Sequence, residues 1–203
     1  KVAGPVHQGR QILSLERDAC RWTLGAADGS QGAFDHVVLA IPTFDVARID
    51  GFPADLLPDL GLLRYNPVCV VALGFDRSQV DHPLDGFGFL VPKLENRRIL
   101  GTLFSSTLWP HTVPAGKVLL RTMVGGDATI LAEYTEPDLV DLVRGELSEL
   151  LGVRGEPEFV HIARYARGIP EYPVGHHDTV RRLKTQLEGT GLHLAGNAWD
   201  GIG

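Results

Sequence analysis

An α+β fold, built on an antiparallel or mixed β-sheet with flanking helices, is predicted by two features of this sequence. Most apolar segments are short, rich in β-branched residues and bounded by Gly, Pro or Asp, as is typical of strands joined by turns. One longer segment repeats leucine and valine at helical spacing. At 203 residues, with 44% hydrophobic and 22% charged residues, the chain has the composition of one large or two small globular domains.

The first segment predicts a group of short strands. Residues 11–15 and 20–24 alternate loosely in polarity, and Asp28-Gly29 is a dipeptide typical of tight turns. Residues 34–42 form an almost continuous apolar run that proline closes. Because both faces of such a strand are apolar, we expect it to be buried between two layers.

Short helices and then a sheet are predicted in the middle of the chain. Residues 43–65 contain helical segments that Pro53 and Pro58 are expected to interrupt. Four β-rich segments follow, at residues 67–75, 87–91, 99–104 and 118–124. Since turn residues separate them, we expect consecutive strands to pair antiparallel.

The best-defined helix begins after Thr135, a suitable N-cap, and ends at Gly152. Its apolar positions recur on one face: Leu139, Leu142, Val143, Leu147, Leu150 and Leu151. The elements predicted after it are a strand from residue 157 to 165, a helix from 175 to 187 and a strand from 192 to 195.

Composition excludes several classes of function. A net charge of −6 and a pI near 5.7 argue against a nucleic-acid partner, which would need clustered Lys and Arg. Cys20 and Cys69 have neither metal-binding nor disulfide-framework spacing, which favours a reducing, cytoplasmic location. His176 and His177 are adjacent and lack a third ligand in suitable spacing, so we predict no metal and give His176 a structural or capping role. No apolar run is long enough to span a membrane.

The last ten residues, 194–203, pass from an apolar strand into a glycine-rich turn, where a backbone approaches a ligand closely. Ala-Gly-Asn followed by an aromatic residue and then Gly-Ile-Gly resembles the flavin-contacting C-terminal motif of the protoporphyrinogen oxidase family, within the flavin amine oxidases. Four further segments resemble that family in the same order: residues 85–92, 99–106, 123–126 and 164–176.

This resemblance implies how the domains are organised. Residues 1–43 and 191–203 are expected to belong to an FAD-binding domain, and residues 44–190 to a substrate-binding domain. No Gly-x-Gly-x-x-Gly occurs in the chain, so the main FAD anchor is expected upstream of Lys1. We therefore expect a fragment, cut at both ends, that binds FAD poorly and is inactive when isolated.

The resemblance also implies site residues. FAD is expected to contact residues of the glycine-rich ending and of two earlier strand ends: Gly196, Asn197, Gly201, Ile202, Gly203, Ala40, Pro42 and Val2. The substrate is expected to lie against Gly88, Leu90, Leu103 and Met123. Gly88 would let a flat ring approach bare backbone, and the other three would form an apolar wall. No protein side chain is assigned as catalytic, because the flavin carries the chemistry.

The implied reaction is the oxidation of a porphyrinogen to the porphyrin in heme biosynthesis, with O2 as acceptor. The tetrapyrrole substrate is either protoporphyrinogen IX or coproporphyrinogen III, and Arg98 or Arg167 is a candidate partner for a propionate carboxylate. Peripheral membrane association of the full-length protein and a homodimer are further expectations. Trp199 and Asp200 depart from the Tyr-Arg pair common in the family, which leaves the substrate preference open.

Two alternatives remain open from the sequence. One is another FAD amine-oxidase-like enzyme that acts on an amine or a polyene. The other is a stand-alone ligand-binding module without redox activity.

Overall fold

The structure, a computed structural model, describes residues 4–125 and 133–201. The strands, in chain order, are β1 Ile12–Arg17, β2 Trp22–Ala26, β3 Gln31–Phe34, β4 Val37–Leu39, β5 Tyr65–Asp76, β6 Gly88–Leu90, β7 Gly101–Phe104, β8 Lys117–Gly125, β9 Phe159–Pro170 and β10 Leu192–Leu194. The α-helices are α1 Thr43–Val46, α2 Leu57–Gly61, α3 Ser105–Leu108, α4 Glu136–Leu151, α5 His176–Leu187 and α6 Asn197–Asp200. The predicted α+β class is confirmed.

The chain divides into two compact units. The first comprises Lys1–Arg64 with Pro170–Gly203, and the second comprises Tyr65–Ile169. These boundaries differ from those expected from the sequence, at 43/44 and 190/191. The difference lies in helices α1, α2 and α5, whose buried Val46, Leu60 and Leu183 share the core of the first unit with Trp22 and Leu192. Which flavoprotein domain each unit represents stays a prediction.

The first unit contains an antiparallel meander, β1-β2-β3, and a separate parallel pair, β4 with β10. Residues 34–42 do not form the single strand that we expected. β3 ends at Phe34, β4 covers only Val37–Leu39, and Val38 is 60% exposed. One face of this strand is buried in the core while the opposite face borders an open cavity of about 550 Å³, so the predicted burial on both faces is wrong for this chain.

Proline positions explain the short helices of the same unit. Pro53 is the N-cap residue of a 3-10 turn, and Pro58 lies in the first turn of α2. A proline in the first turn leaves no helical hydrogen bond unmade, because the amide there has no intrahelical acceptor. Both prolines thus lie at the starts of short helical elements, in agreement with the expectation that they divide residues 43–65.

The second unit is a five-stranded sheet in the order β6-β7-β8-β5-β9. The consecutive pairs β6–β7 and β7–β8 are antiparallel, as predicted. Strand β5 pairs antiparallel with β8 and not with its successor β6, which was not predicted. The long β5–β8 ladder explains this order, since it pairs Val68 through Asp76 with Gly125 through Lys117.

Helix α4 covers one face of this sheet. Thr135 caps it, with its hydroxyl accepting from the Asp138 amide, and Gly152 ends it in the left-handed conformation at φ 63°. The buried helix residues share a core with alternate residues of β5, β7 and β8: Leu139, Val143, Leu147, Leu151, Cys69, Val71, Leu73, Phe104, Leu120 and Val124. This alternation leaves every second residue of β8 on the opposite face.

Two threonines lie on the buried face. Thr102 and Thr122 are directly opposite each other on β7 and β8, and both are fully buried. Their hydroxyl oxygens are 3.0 Å apart, which satisfies both groups without water.

Candidate functional site

The four residues predicted to contact substrate lie on one face of the second unit's sheet, opposite to helix α4. Gly88 pairs with Leu103 across β6 and β7, and Leu90 pairs with Gly101. Gly101 in turn pairs with Met123 of β8. Because side chains two residues apart on a strand share a face, the register alone brings Leu90, Leu103 and Met123 together.

This face is apolar but open. Leu90 is 78% exposed, and Leu103 and Met123 are half-buried, whereas their neighbours Thr102, Phe104 and Val124 are buried on the helix side. An uncovered row of large apolar side chains on a regular sheet is unusual unless a ligand or another surface covers it. The substrate role of these residues stays a prediction.

Gly88 has a structural reason to be glycine that the sequence did not reveal. Its φ is 139°, and a Cβ there would lie 2.1 Å from the carbonyl oxygen of Thr102 on the neighbouring strand. Any other residue would therefore disturb the β6–β7 ladder before it met a ligand. The glycine at position 88 therefore allows β6 and β7 to approach each other closely.

The register also places a charged side chain, Arg121, beside this row, and the sequence analysis missed it. It pairs with Leu103 across β7 and β8 and lies two residues before Met123. Its guanidinium carbon is 5.0 Å from the centre of the Trp109 ring, and its Nε donates to Ser105 Oγ at 2.9 Å. The alternation along β8 was the signal that could have placed it, since Arg121 and Met123 are two residues apart.

Arg98 lies elsewhere. Its guanidinium is over the Tyr134 ring at 5.0 Å, and its backbone amide donates to Glu146 of helix α4. Both contacts are on the helix-covered side of the sheet. Arg167 lies on β9 and is exposed. The structure brings neither arginine into the row formed by Leu90, Leu103 and Met123.

In the first unit, the predicted flavin-contacting residues meet where two parallel strands end. Leu39 pairs with Leu194, and the Ala195 amide donates to the Leu39 carbonyl at 3.0 Å. Ala40 and Pro42 therefore leave β4 beside Gly196 and Asn197, which leave β10. Ligands of open α/β sheets bind in this position, beyond the carboxyl ends of parallel strands.

The glycines at this edge leave space for a ligand. Gly196 has φ 123° and Gly201 has φ 88°, and a Cβ on Gly201 would have no atom within 4 Å. Asn197, Ala40 and Pro42 are exposed. The fully buried Trp199 anchors the short helix α6 below them, with its indole Nε1 donating to Ala195 O at 3.1 Å.

Polar contacts fix the same segment from two sides. Tyr172 donates its hydroxyl hydrogen to the Asn197 carbonyl oxygen at 2.7 Å, and Lys184 forms an ion pair with Asp200 at 2.6 Å. His176 is buried against Tyr172, with ring centres 4.9 Å apart. Neither ring nitrogen of His176 has a hydrogen-bond partner among the described residues, so of the two predicted roles, structural or capping, its side chain has the structural one.

Three predicted flavin contacts, Val2, Ile202 and Gly203, lie outside the described residues.

Within the described part of the chain, no three His, Cys, Asp or Glu side chains are grouped to hold a metal ion. Burial raises the pKa of the Cys69 thiol, so this cysteine is not an activated nucleophile. None of the helices that the structure describes is both long and apolar enough to cross a membrane.

The chain belongs to the flavin containing amine oxidoreductase family, which matches residues 2–202. The predicted family membership and the flavin cofactor class are thereby confirmed.

Two of the curated relatives of this chain are named as porphyrinogen oxidases. The chain is 34% identical over 140 residues to coproporphyrinogen III oxidase of Staphylococcus aureus (strain NCTC 8325 / PS 47), covering 67% of this chain and 30% of that protein. It is also 34% identical over 185 residues to the mitochondrial protoporphyrinogen oxidase of Nicotiana tabacum, covering 84% and 35%. The chain thus spans about a third of the length of these curated relatives.

A crystal structure from Exiguobacterium sp. 255-15, provisionally named protoporphyrinogen oxidase, has a similar fold. It matches this chain with a TM-score of 0.70 and 30% identity, over 96% of this chain and 43% of that one.

Proposed function

We propose that this chain is part of a flavin-dependent porphyrinogen oxidase of heme biosynthesis, which converts protoporphyrinogen IX or coproporphyrinogen III to the porphyrin. The observation that carries the proposal is the open apolar row of Leu90, Leu103 and Met123. It occurs in a chain whose relatives are named for these two substrates.

The chemistry of the substrate class fits this row. A tetrapyrrole is a broad, flat and mainly apolar ring, and a pocket for it needs an apolar wall of similar breadth. Cross-strand neighbours lie about 5 Å apart, and every second residue along a strand about 7 Å apart. Side chains from three adjacent strands therefore offer one continuous wall, which a small amine would not need.

The first unit fits the flavin. The exposed backbone of Gly196 and the half-buried backbone of Gly201 permit close approach, and the Asn197 amide offers both a donor and an acceptor for ribityl hydroxyls or ring atoms. Ala40 and Pro42 would border the same group. Bound FAD supplies the acceptor for hydride from the reduced positions of the macrocycle. The chain's own residues bind, orient and shield the ring from water.

A matched pair of leucines tests the proposal in the complete flavoprotein. Leu90 and Leu94 are both highly exposed, but Leu94 lies in the turn after β6 and outside the row. We expect Leu90→Ala to raise the KM for the porphyrinogen by about tenfold or more, because it removes an apolar contact worth about 1.5–3 kcal/mol, and Leu94→Ala to leave it unchanged. Porphyrin fluorescence measures the rate.

Several outcomes would contradict the proposal. An intact flavoprotein that oxidises neither porphyrinogen would exclude this activity. Oxidation of an amine or a polyene in its place would favour the first alternative, and a porphyrin-binding protein without flavin would favour the second. Equal KM values for Leu90→Ala and the wild type would show that the row does not contact substrate.

We also propose O2 as the acceptor, peripheral membrane association of the complete protein and a homodimer. Oxygen uptake during turnover, co-sedimentation with vesicles and light scattering, respectively, test these three points.

A further inference from the structure

Arg121, on the open sheet face, differs from three other arginines of its unit in having no carboxylate partner among the described residues. Arg97, Arg144 and Arg154 each form an ion pair with a carboxylate: Glu146, Glu156 and Asp81, respectively. Among residues 4–125 and 133–201, no such carboxylate pairs with Arg121. Its polar partner among them is the neutral hydroxyl of Ser105.

The contacts of Arg121 hold its guanidinium without using its two terminal Nη groups. Nε donates to Ser105, which is itself buried, and the planar group lies over the Trp109 ring. A cation–π contact with an aromatic ring attracts a guanidinium and leaves its hydrogen-bonding groups available. Both terminal Nη groups have no hydrogen-bond partner among the described residues, so the edge that binds a carboxylate bidentately is free to do so.

The position of Arg121 relates it to the apolar row. It is directly opposite Leu103 and about 7 Å from Met123, two residues along the same strand. A ring lying on Leu90, Leu103 and Met123 would carry its rim past this point. The groups at the rim of a porphyrinogen that a guanidinium recognises are propionate carboxylates.

Building on the proposed function, we infer that Arg121 binds a propionate carboxylate of the tetrapyrrole, with Ser105 and Trp109 fixing the orientation of its guanidinium. Arg121 is then a substrate-binding residue that determines the orientation of the macrocycle on the sheet. Coproporphyrinogen III carries more propionates than protoporphyrinogen IX, so this contact also bears on the choice between them.

Arg121→Gln in the complete flavoenzyme tests the inference. We expect the KM for the porphyrinogen to rise about 10- to 100-fold with kcat changed less than about threefold, because a charge-assisted contact to the rim is lost while the reacting carbons are untouched. Arg121→Lys should recover only part of the loss, since an ammonium keeps the charge without the fork. Arg154→Gln, an exposed arginine of the same unit, is the control and should match the wild type.

A binding measurement provides a readout that does not depend on turnover. Fluorescence titration of the oxidised porphyrin, as free acid and as full methyl ester, should show that Arg121→Gln weakens binding of the acid about tenfold or more and leaves the ester unaffected. Equal losses for acid and ester, or an unchanged affinity for both, would overturn the role of Arg121. A similar unfolding midpoint for the variant and the wild type confirms that the fold is intact.

Different results would contradict the proposed function and the assignment of Arg121. A wild-type enzyme that oxidises the porphyrinogen, with Arg121→Gln indistinguishable from it, overturns only the assignment of Arg121. A wild-type flavoenzyme that neither oxidises the porphyrinogen nor binds the porphyrin acid overturns the proposed function and this inference with it.

Discussion

The two faces of the sheet in the second unit carry similar side chains, but one face is buried and the other is open. On the face under helix α4, Leu120, Val124 and Phe104 are buried with the helix residues. On the other face, Leu90 is largely exposed and Met123 half-buried. Polarity does not distinguish the faces, since the buried one even contains a threonine pair. Helix α4 covers one face, which forms the core of the unit, and leaves the other face open.

Adjacent leucines on β8 give the sharpest test of this difference. Leu120 is fully buried and Leu119 lies half-buried on the open face. We expect Leu120→Ala to lower the free energy of unfolding by about 2–5 kcal/mol, because it leaves a cavity between sheet and helix. Leu119→Ala should cost less than half as much. Urea unfolding measures both, and equal losses would mean that the open face is as important to folding as the covered one.

A second test separates backbone from side-chain roles on the open face. Gly88→Ala would place a methyl group against the Thr102 carbonyl at a positive φ, so we expect a loss of about 1–3 kcal/mol in unfolding free energy. Gly86 is the control, because a Cβ there has no atom within 4 Å and its φ is ordinary. A Gly88→Ala protein as stable as Gly86→Ala would show that β6 can shift to accept a side chain, so that the ladder does not require glycine at this position.

The sequence was sufficient for elements whose signals are local. The α4 helix has an N-cap, an apolar face and a closing glycine, and the structure confirms its start at Glu136 and its end at Leu151. The sheet strands near residues 67, 88, 101 and 118 were also predicted, because turn residues separate them. The pairing of β5 with β8 was not predicted, since it depends on a ladder between distant segments.

The candidate site likewise has a part that the sequence predicts and a part that depends on the fold. The resemblance supplied Gly88, Leu90, Leu103 and Met123, and the register supplied the fact that they share a face. Arg121 was missed because the alternation along β8 assigns it a face of the sheet but does not distinguish it from a solvated arginine. The role that we propose for it depends on its contacts with Ser105 and Trp109, which reach it only through the fold.

The smallest expected effect concerns an ion pair at the end of the same sheet. Asp76 ends β5 and is directly opposite Lys117, the first residue of β8. Its carboxylate accepts from the Ser78 hydroxyl and amide and lies 3.3 Å from the Lys117 ammonium, which together lower the pKa of Asp76 from 3.8 to about 2. Because the folded state favours the ionised form, the stabilisation is complete above pH 3.8 and is lost as the pH falls through about 2.

Comparison of the wild type with Asp76→Asn isolates this contribution. The difference between their urea midpoints should be constant from neutral pH to about pH 4 and should shrink progressively as the pH falls toward about 2. Ser78→Ala, which removes the largest cause of the shift, should weaken the same pH dependence without abolishing it. A difference that grows on acidification would mean that the Asp76 carboxylate is destabilising in the folded protein. In that case this ion pair would not help to hold β5 and β8 in the register that separates the two faces.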